Sequence, residues 1–220
     1  MGGRQLASKM RKTEALLTDP EVAPYIPQTK ALGEGNLRDM LGAHGFVVVK
    51  PIVGGGGHGV IKVTRSGSQY SITDSFKTSH YTSFTNMYSA LQRVKVKRKY
   101  LIQQGIHLAR INGRPIDYRV KHVKSGGHWE IRAMVGRLAR HGLFVTNLCK
   151  GGTLLKGREG LRKSLPHISS AAKSREMRRL TRKCTSILES HFPGIGQLGF
   201  DYGLDTNGKI WIFEVNTRPQ

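Results

Sequence analysis

Alternating polar and apolar positions recur along the chain and break off at glycine and proline, a pattern that predicts an α+β protein. Residues 8–18 (SKMRKTEALLT) read as a helix, followed by the proline-broken connector DPEVAPYIPQT. A short helix is expected over 35–41. FVVVKPIV (46–53) is a continuous apolar strand, GGGGHG follows it, and VIKVT reads as a second strand. A short strand is expected over 68–73, a helix over 83–93, and a strand with a polar end over 99–106 (KYLIQQGI). IDYRVKHVK and HWEIRAMVGRLA read as strands paired around Ser125-Gly126-Gly127, and GLFVTNLCKGG is expected to end that sheet in a glycine turn. Ser169 or Ser170 then caps a helix running to about His191, whose apolar face is Met177, Leu180, Cys184 and Ile187. The last pair, GFDYGL and KIWIFEV, flanks the turn Asp205-Thr206-Asn207-Gly208. This layout divides into a smaller lobe over about 43–104 and a larger one from 1–42 and 105–220.

Composition narrows the class. At 38% hydrophobic residues, 220 positions suffice for one large domain or two lobes. Cys149 and Cys184 form no CxxC motif, which fits a reducing compartment. No apolar run approaches the roughly 18 residues of a membrane span, and the N-terminus lacks a secretory apolar stretch. A soluble, cytoplasmic protein is therefore expected. Thirty-six Lys and Arg against 14 Asp and Glu give a net charge of +22, a field that attracts polyanions. The basic residues of 173–183 read as a solvated helix face.

With acids so scarce, a carboxylate pair beside an asparagine near the end of the chain becomes notable. Glu214 and Asn216 are two apart on a predicted strand and so share a face, and a hairpin can bring Asp201 to them. Three hard oxygen donors on a rigid sheet suit Mg²⁺ bridging nucleotide phosphates; the same residues would also serve as solvated acids on a surface hairpin. The second signal is the loop Gly54-Gly55-Gly56-Gly57-His58-Gly59. A strand follows it, so it is no Rossmann turn, and Val60 stands where a Walker A lysine would be. A glycine-rich turn between antiparallel strands makes a flap whose N–H groups can close on phosphates, or a plain hairpin turn. Lys50 would sit beneath it. Lys62 mimics the lysine that follows a protein-kinase flap, but no HRD-type catalytic loop and no DFG are present.

FVVVKP, the flap, YLIQQGI, Asp117-Tyr118-Arg119, TNLCKGG and GFD…FEVN occur in that order. With them the chain resembles the ATP-grasp superfamily, in particular its spore-coat-associated YheC/YheD type. It is also similar to the ATP-grasp ligases that add glutamate to a ribosomal protein, which carry a comparable Asp-x-Arg and Ser-Asn-Leu-x-Arg-Gly-Gly. The resemblance implies an ATP-grasp fold, two α+β lobes clasping a nucleotide; because Lys9 lies almost at the start, the separate domain that precedes many such ligases is expected to be absent or on another polypeptide. It places Lys9 and Lys50 at the α- and β-phosphates and the flap residues Gly55, Gly56, Gly57, His58 and Gly59 over them. Gln104 and Gly105 would meet adenine, and Asp117 the ribose or nucleotide. Asn147 and Lys150 would line the site. Arg119 and Arg137 would act catalytically on the γ-phosphate or an acyl-phosphate, where planar donors match phosphate oxygens, although cross-strand pairing is their structural alternative. Asp201, Glu214 and Asn216 would hold Mg²⁺, two ions, with Mn²⁺ as the other candidate. The implied activity is ATP-dependent ligation of a carboxylate to an amine or thiol through an acyl-phosphate, and an acidic peptide or protein is a candidate substrate. The other class is a non-catalytic, spore-coat-associated or polyanion-binding protein on the same scaffold.

Overall fold

A computed structural model describes Leu6 and residues 8–217 of the chain. The described residues divide into two compact units: Leu6 with 8–26, 107–141 and 146–217 form the larger, and 27–106 with 142–145 the smaller. The first described helix is α1 (Lys9–Leu17), part of the larger unit, where the Ser8 hydroxyl accepts from the Arg11 N–H as an N-cap.

The smaller unit contains β1 (Thr29–Ala31), α2 (Glu34–His44), β2 (Phe46–Pro51), β3 (Ile61–Ser66), β4 (Gln69–Asp74), β5 (Lys77–Tyr81), α3 (Phe84–Val94) and β6 (Tyr100–Gln104). Its antiparallel sheet runs β1-β6-β2-β3-β4-β5. Leu37, Met40 and Leu41 of α2 and Met87 and Leu91 of α3 are buried with Val47, Val49, Ile61 and Val63 in one core. The unit begins earlier than the predicted boundary at 43, because β1 pairs with β6, Lys30 opposite Ile102. The predicted β2–flap–β3 hairpin is present. β5 (KTSHY) escaped prediction because it is a sheet edge without an apolar face, and edge strands need none.

The larger unit adds β7 (Arg110–Ile111), β8 (Arg114–Ser125), β9 (His128–Leu138), β10 (Thr153–Lys156), α4 (Gly157–Ser164), α5 (Ser170–His191), β11 (Gln197–Leu204) and β12 (Ile210–Asn216). Its sheet runs β10-β9-β8-β11-β12, with β7 paired to β8. GLFVTNLCKGG does not end the sheet. It carries a 3₁₀ turn over Leu148–Lys150, after which the chain returns as β10 against β9. The α4 sequence GREGLRKS hides its helix because its apolar face is narrow; instead, glycine lets it approach closely. A Cβ on Gly160 would meet the Ile116 Cδ1 at 2.9 Å, and one on Gly157 the Met134 carbonyl oxygen at 2.7 Å. Helix α5 is capped by the Ser169 hydroxyl and buries Met177, Leu180, Cys184 and Leu188, with Ile187 only half-buried. Thr181 and Thr185 share that face and serve polar atoms of the sheet: the Thr181 hydroxyl is 2.9 Å from the Tyr202 hydroxyl, and Thr185 Oγ1 is 2.7 Å from His122 Nδ1. Among the described residues no helix is long and apolar enough to cross a membrane.

Candidate functional site in the larger unit

Pairing register lines up the charged residues of the larger sheet. Asp117 and Arg119 are two apart on β8 and therefore share a face. Arg137 lies directly opposite Asp117 on β9, Asp201 opposite Arg119 on β11, and Glu214 opposite Asp201 on β12. Arg137 donates Nε and Nη2 to the two Asp117 oxygens, at 2.8 and 2.5 Å. Arg119 donates Nε and Nη2 to the two Asp201 oxygens, at 2.8 and 2.9 Å. Arg137 Nη2 also lies 3.3 Å from Asp201 Oδ1, linking the two pairs into one row. Both bonds are the two-pronged kind that fixes direction as well as charge.

Burial makes this row energetically consequential. Asp117, Arg137 and Asp201 are 5%, 4% and 8% exposed. For Asp201, burial favours the neutral acid, but Arg137 and Arg119 outweigh it and hold the pKa below the usual range. For Asp117, burial wins over Arg137 and over the donated Thr146 hydroxyl, and its pKa is raised. Arg137 is held charged: burial opposes the charge, and Asp117 and then Asp201 reverse the balance.

The row continues to the N-terminal helix. Lys9 Nζ is 3.5 Å from Glu214 Oε1. Lys12, one turn on, is also buried and donates to the Leu6 carbonyl at 2.9 Å. Burial brings the Lys12 ammonium down to about 8; Glu214 opposes that fall and Lys9 adds to it. Lys12 and Thr146 were not singled out in the sequence. For Lys12 a signal existed, since positions 9, 12, 15 and 16 form one helical face, and all four are buried.

A β-bulge sets the direction of Glu214. Asp201 pairs with Glu214, but Tyr202 pairs with Ile212, so Phe213 is the extra residue. Strict alternation would place Glu214 and Asn216 on the face of Ile210 and Ile212, both buried in the core. After the bulge Val215 takes the core side, and Glu214 and Asn216 stand with Asp201.

Among the described residues no three His, Cys, Asp or Glu side chains gather as a metal centre. The candidate set here is two carboxylates and one amide oxygen, a hard-donor combination that suits Mg²⁺. Any ion at Asp201 would share oxygens that already accept from guanidinium groups. Asn147 precedes the 3₁₀ turn, its carbonyl accepting from the Lys150 N–H at 2.9 Å, and its side chain makes no cap bond.

The remaining candidates belong to the smaller unit. Buried Lys50 donates from Nζ to Gln103 Oε1 at 2.8 Å. In the flap, Gly54, Gly56, Gly57 and Gly59 have positive φ, and a Cβ on Gly59 would meet the Tyr100 hydroxyl at 2.8 Å, so this loop requires glycine. Gly55 accepts the turn bond from the His58 N–H at 3.3 Å. The N–H groups of Gln104 and Gly105 donate to the Gln28 and Phe46 carbonyls, so a base meeting this segment would use its other atoms. Gly105 has a packing reason: a Cβ there would meet the Phe46 ring at 2.1 Å.

This architecture is shared with solved structures. N5-carboxyaminoimidazole synthase from Aspergillus clavatus, in complex with ADP and 5-aminoimidazole ribonucleotide, superposes with a TM-score of 0.60 at 14% identity, covering 99% of this chain and 46% of that one. N5-carboxyaminoimidazole synthetase from Staphylococcus aureus, complexed with ADP, also gives 0.60, at 10% identity over 98% of this chain and 46% of that one. The fold is the ATP-grasp α+β fold. The family described as YheC/D like ATP-grasp matches residues 2–220, and the chain belongs to it. Its relatives include two proteins of Bacillus subtilis (strain 168). Endospore coat-associated protein YheD is 29% identical over 225 residues, covering 96% of this chain and 48% of its own length. Endospore coat-associated protein YheC is 25% identical over 224 residues, covering 99% and 61%. The chain therefore spans about half to three-fifths of the curated relatives it matches.

Proposed function

We propose that this domain binds Mg-ATP and activates a carboxylate for capture by an amine or thiol. The observation that carries the reading is the Asp117–Arg137–Asp201–Arg119 row with Glu214 beside it. Fixed donors and acceptors on a rigid sheet do the positioning and charge neutralisation on which phosphoryl transfer depends. A substrate carboxylate oxygen would attack the γ-phosphorus and ADP would leave. The amine or thiol would then attack the acyl carbon, lose its proton and displace phosphate. Arg119, the more exposed of the two guanidinium groups, is assigned to the transferring phosphoryl group. Arg137 holds Asp117 and Asp201 in place. Asp201, Glu214 and Asn216 would hold Mg²⁺ or Mn²⁺, which when bound neutralises phosphate charge. Lys9, Lys50 and the flap are assigned to the phosphates, Gln104 and Gly105 to the adenine end, and Asn147 and Lys150 to the lining of the site.

Calorimetric titration with ATP, with and without Mg²⁺, tests this on the wild type and Glu214→Ala. Binding should need the ion and weaken about tenfold or more in the variant. Equal binding by both proteins, or none by a folded wild type, would overturn it. A second reading is favoured by the exposed basic face of α5, where Arg175, Arg179 and Arg182 face solvent: a polyanion-binding, coat-associated protein on an ATP-grasp scaffold. It expects steeply salt-dependent nucleic-acid binding that Mg-ATP leaves unchanged.

A further inference from the structure

Behind the charged row, on the other face of the same sheet, the start of α4 and the first turns of α5 leave an open groove of 390 Å³. Met134 locates it: this residue pairs with core residue Val120, the alternate position to Asp117 and Arg119, and accepts a 3.4 Å contact at its sulfur from the Ser174 hydroxyl of α5. Met134 and Ala171 give the groove an apolar floor. Four cations line it: Lys156 and Arg158 from the β10–α4 junction, and Arg175 and Arg178 from α5. Among the described residues no acid lines it. Of the acids on the same two helices, Glu176 pairs with Lys173 at 2.6 Å, and Glu159 pairs with Lys163 at 2.7 Å while also lying within the field of Lys156. Among the described residues Arg158, Arg175 and Arg178 form no ion pair.

Four like charges converging on one concave surface repel one another, and an external anion relieves that repulsion. Three of them are arginines, whose planar forks match carboxylate or phosphate oxygens. The floor and the missing aromatics decide between ligands. Single-stranded nucleic acid is held largely by stacking on aromatic rings, and none lines this groove. Inorganic phosphate has no apolar surface to cover Met134 and Ala171. Glutamate and aspartate side chains do, because their methylene stems pack on such a floor while the carboxylates reach the guanidinium groups. The volume is that of a small-ligand site, enough for about two or three such side chains.

We infer that this groove is a docking site for an acidic polypeptide segment. The inference stands apart from nucleotide use: its residues occupy the opposite face from the charged row, and its test contains no ATP. Labelled hexaglutamate is titrated at low salt with the full chain, followed by fluorescence anisotropy. Arg175→Glu/Arg178→Glu should weaken binding about tenfold or more, the equivalent of 1.4 kcal/mol. Lys97→Glu/Lys99→Glu makes the same change in net charge at exposed lysines of the smaller unit and should stay within about twofold. Circular dichroism establishes that each variant is folded. No binding by the wild type, or equal weakening by both double variants, would overturn the inference. Competition by inorganic triphosphate or oligothymidine as effective as by unlabelled hexaglutamate would overturn it too, since the groove would then be a phosphate site.

Discussion

Replacing Arg137 with methionine keeps most of the side chain's volume and removes the guanidinium that joins Asp117 to Asp201. The consequences fall unequally. Asp201 retains two bonds from Arg119, whereas Asp117 keeps, among the described residues, the Thr146 hydroxyl alone. Removing one partner of a buried pair costs about 3–5 kcal/mol, because the other charge is left without compensation. Asp117 limits the damage by taking up a proton, since burial already raises its pKa, so the lower end, about 3 kcal/mol, is expected. A group with a raised pKa in the folded state binds more protons folded than unfolded. The loss should therefore be smaller at acidic pH and grow as pH rises through that pKa. Both tryptophans, Trp129 and Trp211, lie in the larger unit, so their fluorescence during urea unfolding reports this unit. With a urea slope of about 1–3 kcal/mol per molar, the midpoint should fall by roughly 1–3 M. Adding Asp117→Asn to the methionine variant should recover part of the loss. A variant within about 0.5 kcal/mol of wild type, or strict additivity of the two substitutions, would refute the reasoning.

His122 gives a second pH-dependent expectation. The Thr185 hydroxyl donates to the Thr181 carbonyl, so it accepts from His122 Nδ1–H, and among the described residues the buried Nε2 has no hydrogen-bond partner. Burial, and then Arg182, lower the pKa of this imidazole. The folded protein holds it neutral, so stability should fall as pH drops below the unfolded value of about 6.5. Denaturation midpoints of His122→Phe should lose less between neutral and acidic pH than wild type; equal losses would remove His122 as the cause. The cysteines should differ in reactivity. Cys184 is buried, with its thiol pushed up to about 12, while Cys149 is exposed. Ellman's reagent should modify one thiol in the native protein, and none in Cys149→Ser until it is unfolded.

Strong periodicity made the longest elements readable. The α5 stripe and the β8–β9 alternation are repeated often enough to be seen in one sequence, and the glycine loop declared its hairpin by composition. The elements that escaped have weak local signals: β1, β5, β7 and β10 are short, and α4 packs through glycines. Asp201 and Glu214 were legible as neighbours because a hairpin joins them. What hid was the outcome of register. The hairpin around Ser125-Gly126-Gly127 brings Asp117 near Arg137, but nothing local shows the register shift between Lys121 and His122 that sets them directly opposite, and nothing in KIWIFEV shows that Phe213 will be skipped. Strict alternation there would send Glu214 into the core. Lys12 was obscured by the basic composition around it, because in a chain of 36 Lys and Arg a lysine on a terminal helix reads as solvated.

The hydrogen bonds between Leu6 and Thr217, made in both directions across a separation of 211 residues, bear on how the chain matures. The smaller unit is almost continuous in sequence, and by residue 106 all six of its strands have been made. The larger sheet is interrupted by that unit and waits for β12 as its edge strand, so its contacts span nearly the whole chain. Long-range pairing is slow because loop-closure entropy is lost before contacts reward it. During synthesis the smaller unit can therefore settle first, with the larger completing only after the last strand emerges. A chain halted before residue 210 would carry a finished small sheet and an exposed β11 edge, the kind of surface that chaperones and proteases act on.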